Sequence, residues 1–166
     1  MKTRKSLLIL VILAIILSAC NSGSVKVYDS VDALVKEAKA KAEFVKVDEL
    51  KTIIDNEHNF LIVDCREPDI YAEGHIPGSI NIPRGLLEFS SKISNRGEAV
   101  YIYCENYRKA VLAAESLAML KYKIVRVVDG GWVKWSEIYP DLVEEGTGGS
   151  AKEEVAKPAE SGGCGG

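Results

Sequence analysis

Cys104 stands between an apolar run, Ala99-Val100-Tyr101-Ile102-Tyr103, and a polar stretch, Glu105-Asn106-Tyr107-Arg108-Lys109. An alanine-rich helical pattern from Ala110 to Leu117 follows. A thiol between a strand end and a helix start faces the helix's unpaired N–H groups and the positive end of its dipole. Both favour the thiolate, which is the nucleophilic form, and Arg108 and Lys109 add positive charge. The opposing reading is a buried structural cysteine, a common fate for a free thiol; the polar flank favours a reactive one. A second cluster, Asp64-Cys65-Arg66, follows another apolar run, Phe60-Leu61-Ile62-Val63. Asp64 and Arg66 are expected to pair internally and fix the strand ends in preference to touching substrate. Cys65 reads as a small core residue, with a Cys65–Cys104 bridge as the alternative.

The elements that must position these residues follow from periodicity. Val31, Leu34, Val35 and Ala38 share one helical face and predict a helix over 30–42, capped by Asp29 or Ser30. Next come a short strand at 44–47, a helix capped by Asp48 and broken at Asn59, and a strand at 60–63 buried on both faces. A strand at 79–82, a short helix at 85–92, the strand ending at Tyr103, a helix at 108–120 and a strand at 124–128 continue the alternation. Asp129-Gly130-Gly131 makes a turn whose glycines supply positive φ, and a last helix ends near Pro140. Strands alternating with helices, with little hairpin chemistry, predict an α/β fold with a parallel sheet covered on both faces. Such sheets bind ligands beyond the carboxyl ends of their strands, where both candidate clusters fall.

The two ends of the chain have a different character. Met1-Lys2-Thr3-Arg4-Lys5 is basic, and Leu7 to Leu17 is unbroken apolar sequence, the anatomy of an export signal too short for a comfortable membrane span. Leu17-Ser18-Ala19-Cys20 resembles the lipobox of bacterial lipoproteins. That resemblance implies cleavage of residues 1–19, acylation of Cys20 with fatty acid such as palmitate, and a lipid anchor on the extracytoplasmic side of a membrane in the cell envelope. Removing Lys2, Arg4 and Lys5 takes the net charge from −3 to −6, a poor balance for binding nucleic acid. Acylation of Cys20 leaves Cys65, Cys104 and Cys164, an odd number that suggests a free thiol or a transient bridge. His58 and His75 are separate from any cysteine cluster, so neither a metal nor a cofactor is expected. Residues 20–43 read as anchor, tether and extra helix, 44–140 as the domain, and 141–166 as a flexible tail holding seven of the 14 glycines and ending in a mobile Cys164.

The stretch Asp64-Cys65-Arg66-Glu67-Pro68-Asp69-Ile70-Tyr71-Ala72-Glu73-Gly74-His75-Ile76-Pro77-Gly78-Ser79-Ile80-Asn81-Ile82-Pro83 resembles the amino-terminal signature of rhodanese-like domains. Tyr103-Cys104 with its loop resembles that family's active-site loop, and Asp129-Gly130-Gly131-Trp132 with Trp135 its carboxy-terminal signature. The resemblance implies a three-layer fold with a five-stranded parallel sheet, and a sulfurtransferase in which Cys104 takes a sulfane sulfur from a thiosulfate-like anion as a persulfide. A thiol or cyanide-like acceptor then collects it, a covalent route with ping-pong kinetics. The loop backbone N–H groups of Glu105, Asn106, Tyr107, Arg108 and Lys109, together with Arg66 and Arg84, are the candidate anion contacts. Lys109 stands where many relatives have Arg, supplying a point charge without a bidentate fork. Tyr107 stands where glycine is common, which predicts a strained or reshaped loop, and Glu105 sets a negative charge beside the thiol. Phosphatases sharing this fold need five residues between Cys and a phosphate-gripping Arg; the sixth position after Cys104 is Ala110, which argues against that activity.

Other residues have competing readings. Arg108 is either an anion contact or a solvated helix-start residue, and Arg84 faces either the pocket or solvent. His75 is expected to be a hydrogen-bonded structural histidine supporting the site with Asp64, not a base, because a preactivated thiolate needs none. Trp132 and Trp135 are read as packing residues. Three functions compete: sulfur transfer through a Cys104 persulfide, thiol redox work pairing Cys104 with Cys164 or Cys65, and a non-enzymatic binding module on the same scaffold. The protein partner is left open.

Overall fold

The structure, a computed structural model, describes residues 25–56 and 59–146. The signal segment with Cys20, His58, and the tail from 147 with Cys164 lie outside the described residues. The chain divides into units 1–30 and 31–166. In the first, residues 25–30 form neither helix nor strand, and the Lys26 ammonium lies 5.3 Å from the Tyr28 ring centre.

The second unit runs α1 (Val31–Lys41), β1 (Glu43–Val45), α2 (Val47–Asn56), β2 (Phe60–Asp64), α3 (Pro68–Glu73), β3 (Ile80–Asn81), a 3-10 helix (Arg84–Phe89), β4 (Ala99–Tyr103), α4 (Tyr107–Met119), β5 (Ile124–Val128) and α5 (Gly131–Ile138). The five strands form one sheet in the order β1-β5-β4-β2-β3, with every pair parallel. The central strand is β4, so the residue that follows it emerges in the middle of the carboxyl edge.

Alternation along the strands distributes side chains to two cores. Val63, Val100, Ile102 and Val127 face α1 and α4, whose Ala38, Ala110, Ala113 and Ala114 are small enough for close approach. Ile62, Tyr101, Tyr103 and Val128 face the other way, against Leu50 and Ile53 of α2 and Trp135 of α5. Apolar burial on both faces is what a central parallel strand requires, and it explains the unbroken apolar runs of β2 and β4.

The elements differ from the expected ones where local pattern was weakest. Val47 opens α2 where a strand was expected to end, which puts Asp48 in the first turn instead of at the cap; its carboxylate accepts from Tyr139 Oη at 2.9 Å. The short α3 was not foreseen: six residues with Pro68 in the first turn are too few to show a period. The helix expected at 85–92 is a 3-10 turn over Arg84–Phe89. The segment read as the start of a flexible tail is bonded to the domain. His75 and Glu144 exchange backbone hydrogen bonds at 2.8 and 3.0 Å, Gly146 N donates to Ala72 O, and Trp135 Nε1 donates to Leu142 O.

Candidate active site

Cys104 follows β4 directly, with Glu105 and Asn106 between it and the first turn of α4. Asn106 caps that helix: its backbone is extended, and its Oδ1 accepts from Arg108 N at 3.0 Å. The thiol is buried, at 5 % exposure, in contrast to the expectation drawn from its polar flank. Burial pushes the Cys104 thiol above its ordinary value. The Glu105 backbone amide and the charges of Lys109 and Arg66 pull it back, while Asp64 pushes it further up. The loop amide and the nearby cations therefore act in the foreseen direction, and desolvation outweighs them. Alkylation of Cys104 by iodoacetamide should accelerate about tenfold per pH unit from 7 to 9 without levelling. A plateau below pH 8 in a stopped alkylation series would show a thiolate already formed.

The strand beside β4 supplies the charged shell. Asp64 ends β2 opposite Tyr103, and Arg66 lies two residues on. Arg66 Nη2 reaches Asp64 Oδ2 at 2.6 Å and Gly74 O at 2.6 Å, while Nε meets both oxygens of Asp64. Both residues are buried, so the expected internal pair exists. Burial is the largest single influence and opposes the Arg66 charge, but the hydrogen bonds and charge of Asp64, with Tyr103 and Glu105, together outweigh it, so its pKa is raised. The guanidinium also lies 4.5 Å from the Trp132 ring and 3.8 Å from Glu105 Oε2. Glu105 is half exposed and meets a cation on its inner side, which offsets part of the negative charge it brings to the thiol.

Tyr103 reaches into a buried polar network on the opposite face of the sheet. Its hydroxyl accepts from Ile76 N at 3.1 Å and shares a hydrogen bond with Ser79 Oγ at 3.0 Å. Burial raises its pKa well above the ordinary value, so it stays protonated. His75 is fully buried, stacked on Tyr71 at 3.8 Å, with Nδ1 3.0 Å from Tyr71 O. Its Nε2 lies 3.5 Å from Glu144 Oε2. The ring is packed on both counts, by stacking and by the Nδ1 contact, while Nε2 is buried with no hydrogen-bond partner.

The remaining basic candidates each have an acidic neighbour. Arg84 turns to α4 and the 3-10 helix, bonding Glu88 at 2.8 Å, Ser116 Oγ at 2.8 Å and Leu112 O at 3.3 Å. Arg108 is half exposed, and its Nη2 pairs with Asp32 of α1 at 2.6 Å. Lys109 is half exposed, with Nζ 3.5 Å from Glu67, and its charge is felt by Cys104. Tyr107 carries none of the expected strain. It is the first residue of α4, and Lys121 is the one non-glycine with positive φ among the described residues. The Tyr107 ring lies 3.9 Å from the Lys39 ammonium. A groove of about 210 Å³ between α1 and α4, touching Ala38, Lys41, Ala114 and Tyr122, opens at the amino edge of the sheet, away from the thiol.

The rhodanese-like domain family matches residues 46–138, more than half of the chain. The chain belongs to the rhodanese-like family. A Schizosaccharomyces pombe protein named "Putative thiosulfate sulfurtransferase, mitochondrial" is 29% identical over 108 residues, covering 57% of this chain and 76% of its own length. A Bacillus subtilis protein named "Putative sulfur carrier protein YrkF" is 30% identical over 87 residues, 52% of this chain and 47% of that one, so the match spans about half of that relative. Among solved structures, a Rhodopseudomonas palustris protein of unknown function, described as a possible tyrosine phosphatase, superposes with a TM-score of 0.61 at 24% identity. That match covers 69% of this chain and 95% of the other, and it bears on the fold alone. The five-stranded parallel sheet is the rhodanese-like fold.

One residue that supports the cysteine loop was read as a turn glycine and part of the carboxy-terminal signature. Gly131 begins α5 with φ +59, and a Cβ there would sit 2.4 Å from Cys104 O and 3.1 Å from Glu105 O. The α5 amides of Trp132 and Val133 donate to those same carbonyls, at 2.9 and 3.3 Å. One helix end thus holds the backbone of the cysteine loop, and the turn glycines were its signal in the sequence. Gly131→Ala should cost about 2–4 kcal/mol by combining left-handed strain with a backbone clash. Urea unfolding would measure it, and a loss under about 0.5 kcal/mol would mean that the loop yields freely.

Proposed function

We propose that this rhodanese-like protein is a lipid-anchored, extracytoplasmic sulfurtransferase that carries a sulfane sulfur on Cys104 from a thiosulfate-like anion to a thiol or cyanide-like acceptor. The observation that carries the reading is the position of Cys104. It lies at the centre of the sheet's carboxyl edge, beside the Glu105 backbone amide and within the field of Lys109 and Arg66. Transfer of one sulfur asks for a nucleophile and stabilisation of departing anionic charge, which these groups supply. The names borne by the two relatives support sulfur as the cargo. The lipid anchor rests on the residues around Cys20, and the loop contacts on Glu105, Asn106, Tyr107 and Lys109.

The chemistry proceeds in two displacements. Cys104 loses its proton as the donor docks, and the thiolate attacks the outer sulfur of thiosulfate. A sulfur–sulfur bond forms to Cys104 as the bond to the departing sulfite breaks. The acceptor then attacks the outer persulfide sulfur and returns Cys104 as thiolate.

Intact mass spectrometry tests this on the full chain in mild detergent, reduced, incubated with thiosulfate and freed of excess donor. The expected result is a gain of one sulfur mapped to Cys104 and removed by cyanide as thiocyanate. A folded protein whose Cys104 can be alkylated yet gains no sulfur overturns thiosulfate transfer. The anchor is tested separately, by diacylglyceryl modification of Cys20 in a bacterial membrane fraction and its loss in Cys20→Ser.

A further inference from the structure

Cys65 has no part in the sulfur chemistry above, yet its place in the sheet is not neutral. The β2–β4 register pairs Ile62 with Tyr101, Val63 with Ile102 and Asp64 with Tyr103. The bond from Cys65 N to Tyr103 O, at 2.8 Å, belongs to that last pair and holds Cys65 against the end of β4. Cys65 and Cys104 each follow that last pair by one residue. Alternation puts them on one face: Val63, Cys65, Ile102 and Cys104 belong to the same core cluster, whereas Ile62, Tyr101 and Tyr103 belong to the other. Neighbouring strands lie about 4.8 Å apart, within the range of about 4.4–6.8 Å over which two α-carbons accept a disulfide. Both thiols are free.

Their environments divide the roles. Cys65 is fully buried, and burial, with Cys104 and Asp64 adding to it, pushes its thiol far up. It is inert toward reagents in solvent. Cys104 lies at the loop and is the thiol that a small oxidant meets first. An electrophilic sulfur at Cys104 would then be formed next to Cys65, where proximity replaces a bimolecular encounter.

We propose that Cys65 is the resolving thiol of Cys104, closing a Cys65–Cys104 disulfide across β2 and β4 when a peroxide oxidises Cys104. In the first step the Cys104 thiolate attacks one peroxide oxygen. The sulfur–oxygen bond forms, the oxygen–oxygen bond breaks, and hydroxide leaves to become water with the proton Cys104 gave up. Cys104 is now a sulfenic acid, oxidised by two electrons. In the second step Cys65 Sγ attacks Cys104 Sγ. The sulfur–sulfur bond forms, the sulfur–oxygen bond breaks, and the departing hydroxide takes the Cys65 proton as a second water. The disulfide withholds Cys104 from irreversible oxidation until an external thiol reduces it.

The test uses the full chain carrying Cys20→Ser and Cys164→Ser, so that of the four cysteines only Cys65 and Cys104 remain. After hydrogen peroxide, acid quench and N-ethylmaleimide labelling under denaturing conditions, the expected product is lighter by two hydrogens and unlabelled. Peptide mapping links Cys65 to Cys104, and dithiothreitol restores two labelled sites. With Cys65→Ala added, and folding checked by circular dichroism, recoverable Cys104 should be lost at least about tenfold faster, as sulfinic acid. Cys65→Val serves if the alanine variant does not fold. Two free thiols after peroxide, or equal rates of irreversible loss with and without Cys65, overturn the proposal. The readout involves no sulfur donor, so its failure is distinct from failure of sulfur transfer.

Discussion

Cys104→Ser should abolish sulfur loading from thiosulfate, a loss of at least about a thousandfold, while the domain remains folded. Removing a covalent nucleophile costs on that scale because the intermediate itself disappears. A serine hydroxyl cannot form a persulfide and is far harder to ionise than a thiol. The structural cost is small by comparison. Cys104 is buried with 5 % of its surface exposed, but the Glu105 backbone amide that supports the sulfur remains to hydrogen-bond an oxygen. Such a polar exchange costs about 1 kcal/mol, against the 5–15 kcal/mol that typically holds a domain together. Sulfur uptake by intact mass and thermal unfolding by circular dichroism, measured on one preparation, separate the two effects. Uptake retained by the folded variant would move the carrier to another cysteine and sink the assignment of Cys104.

The same residue marks the boundary of what sequence pattern can reveal. The apolar runs of β2 and β4 are both local and periodic, so their strands and their parallel arrangement are legible from residue order. The spacing of Cys104 after β4 likewise puts it at the carboxyl edge. Its burial is not legible, because the surfaces that cover it come from β2, α4 and α5, far apart in the chain. A helix dipole can be inferred from five residues, whereas desolvation depends on the whole assembly. Burial thus opposes the thiolate that the flanking residues favour.

The basic residues make the same point. Arg84 and Arg108 are chemically suited to anions, yet Ser116 and Asp32, separated from them by 32 and 76 positions, engage them. Tyr107 looked strained only by comparison with a glycine at that place; here the helix begins at Tyr107, where an ordinary backbone suffices. Residues 141–146 looked like tail because their composition is polar. Their hydrogen bonds are made by backbone groups of Ala72 and His75 and the Trp135 indole, which composition does not register. Asp64 and Arg66 were legible because two residues of opposite charge, one residue apart at a strand end, can meet without help from remote chain.

That pair should also be the most fragile polar contact in the domain. Asp64→Asn keeps the shape and leaves an oxygen for Arg66 N, which now donates to Asp64 Oδ1 at 2.8 Å, but it removes the charge. Arg66 is 4 % exposed, so its guanidinium would be left buried without its carboxylate. Breaking a buried pair in this way costs about 3–5 kcal/mol, enough to lower the unfolding midpoint by roughly 15 °C in a domain of this size. Removing both charges is a different experiment. Asp64→Leu combined with Arg66→Met takes away the desolvation penalty together with the attraction, and should recover most of the loss. Urea denaturation of the three proteins distinguishes a pair that stabilises from one whose members merely neutralise each other. If Asp64→Asn alone costs less than about 1 kcal/mol, Arg66 has found a substitute. Glu105, 3.8 Å from its Nη1, is the nearest acidic candidate among the described residues. Drawing Glu105 inward would then shift negative charge at the mouth of the cysteine loop, so the stability result and the rate of Cys104 alkylation must change together.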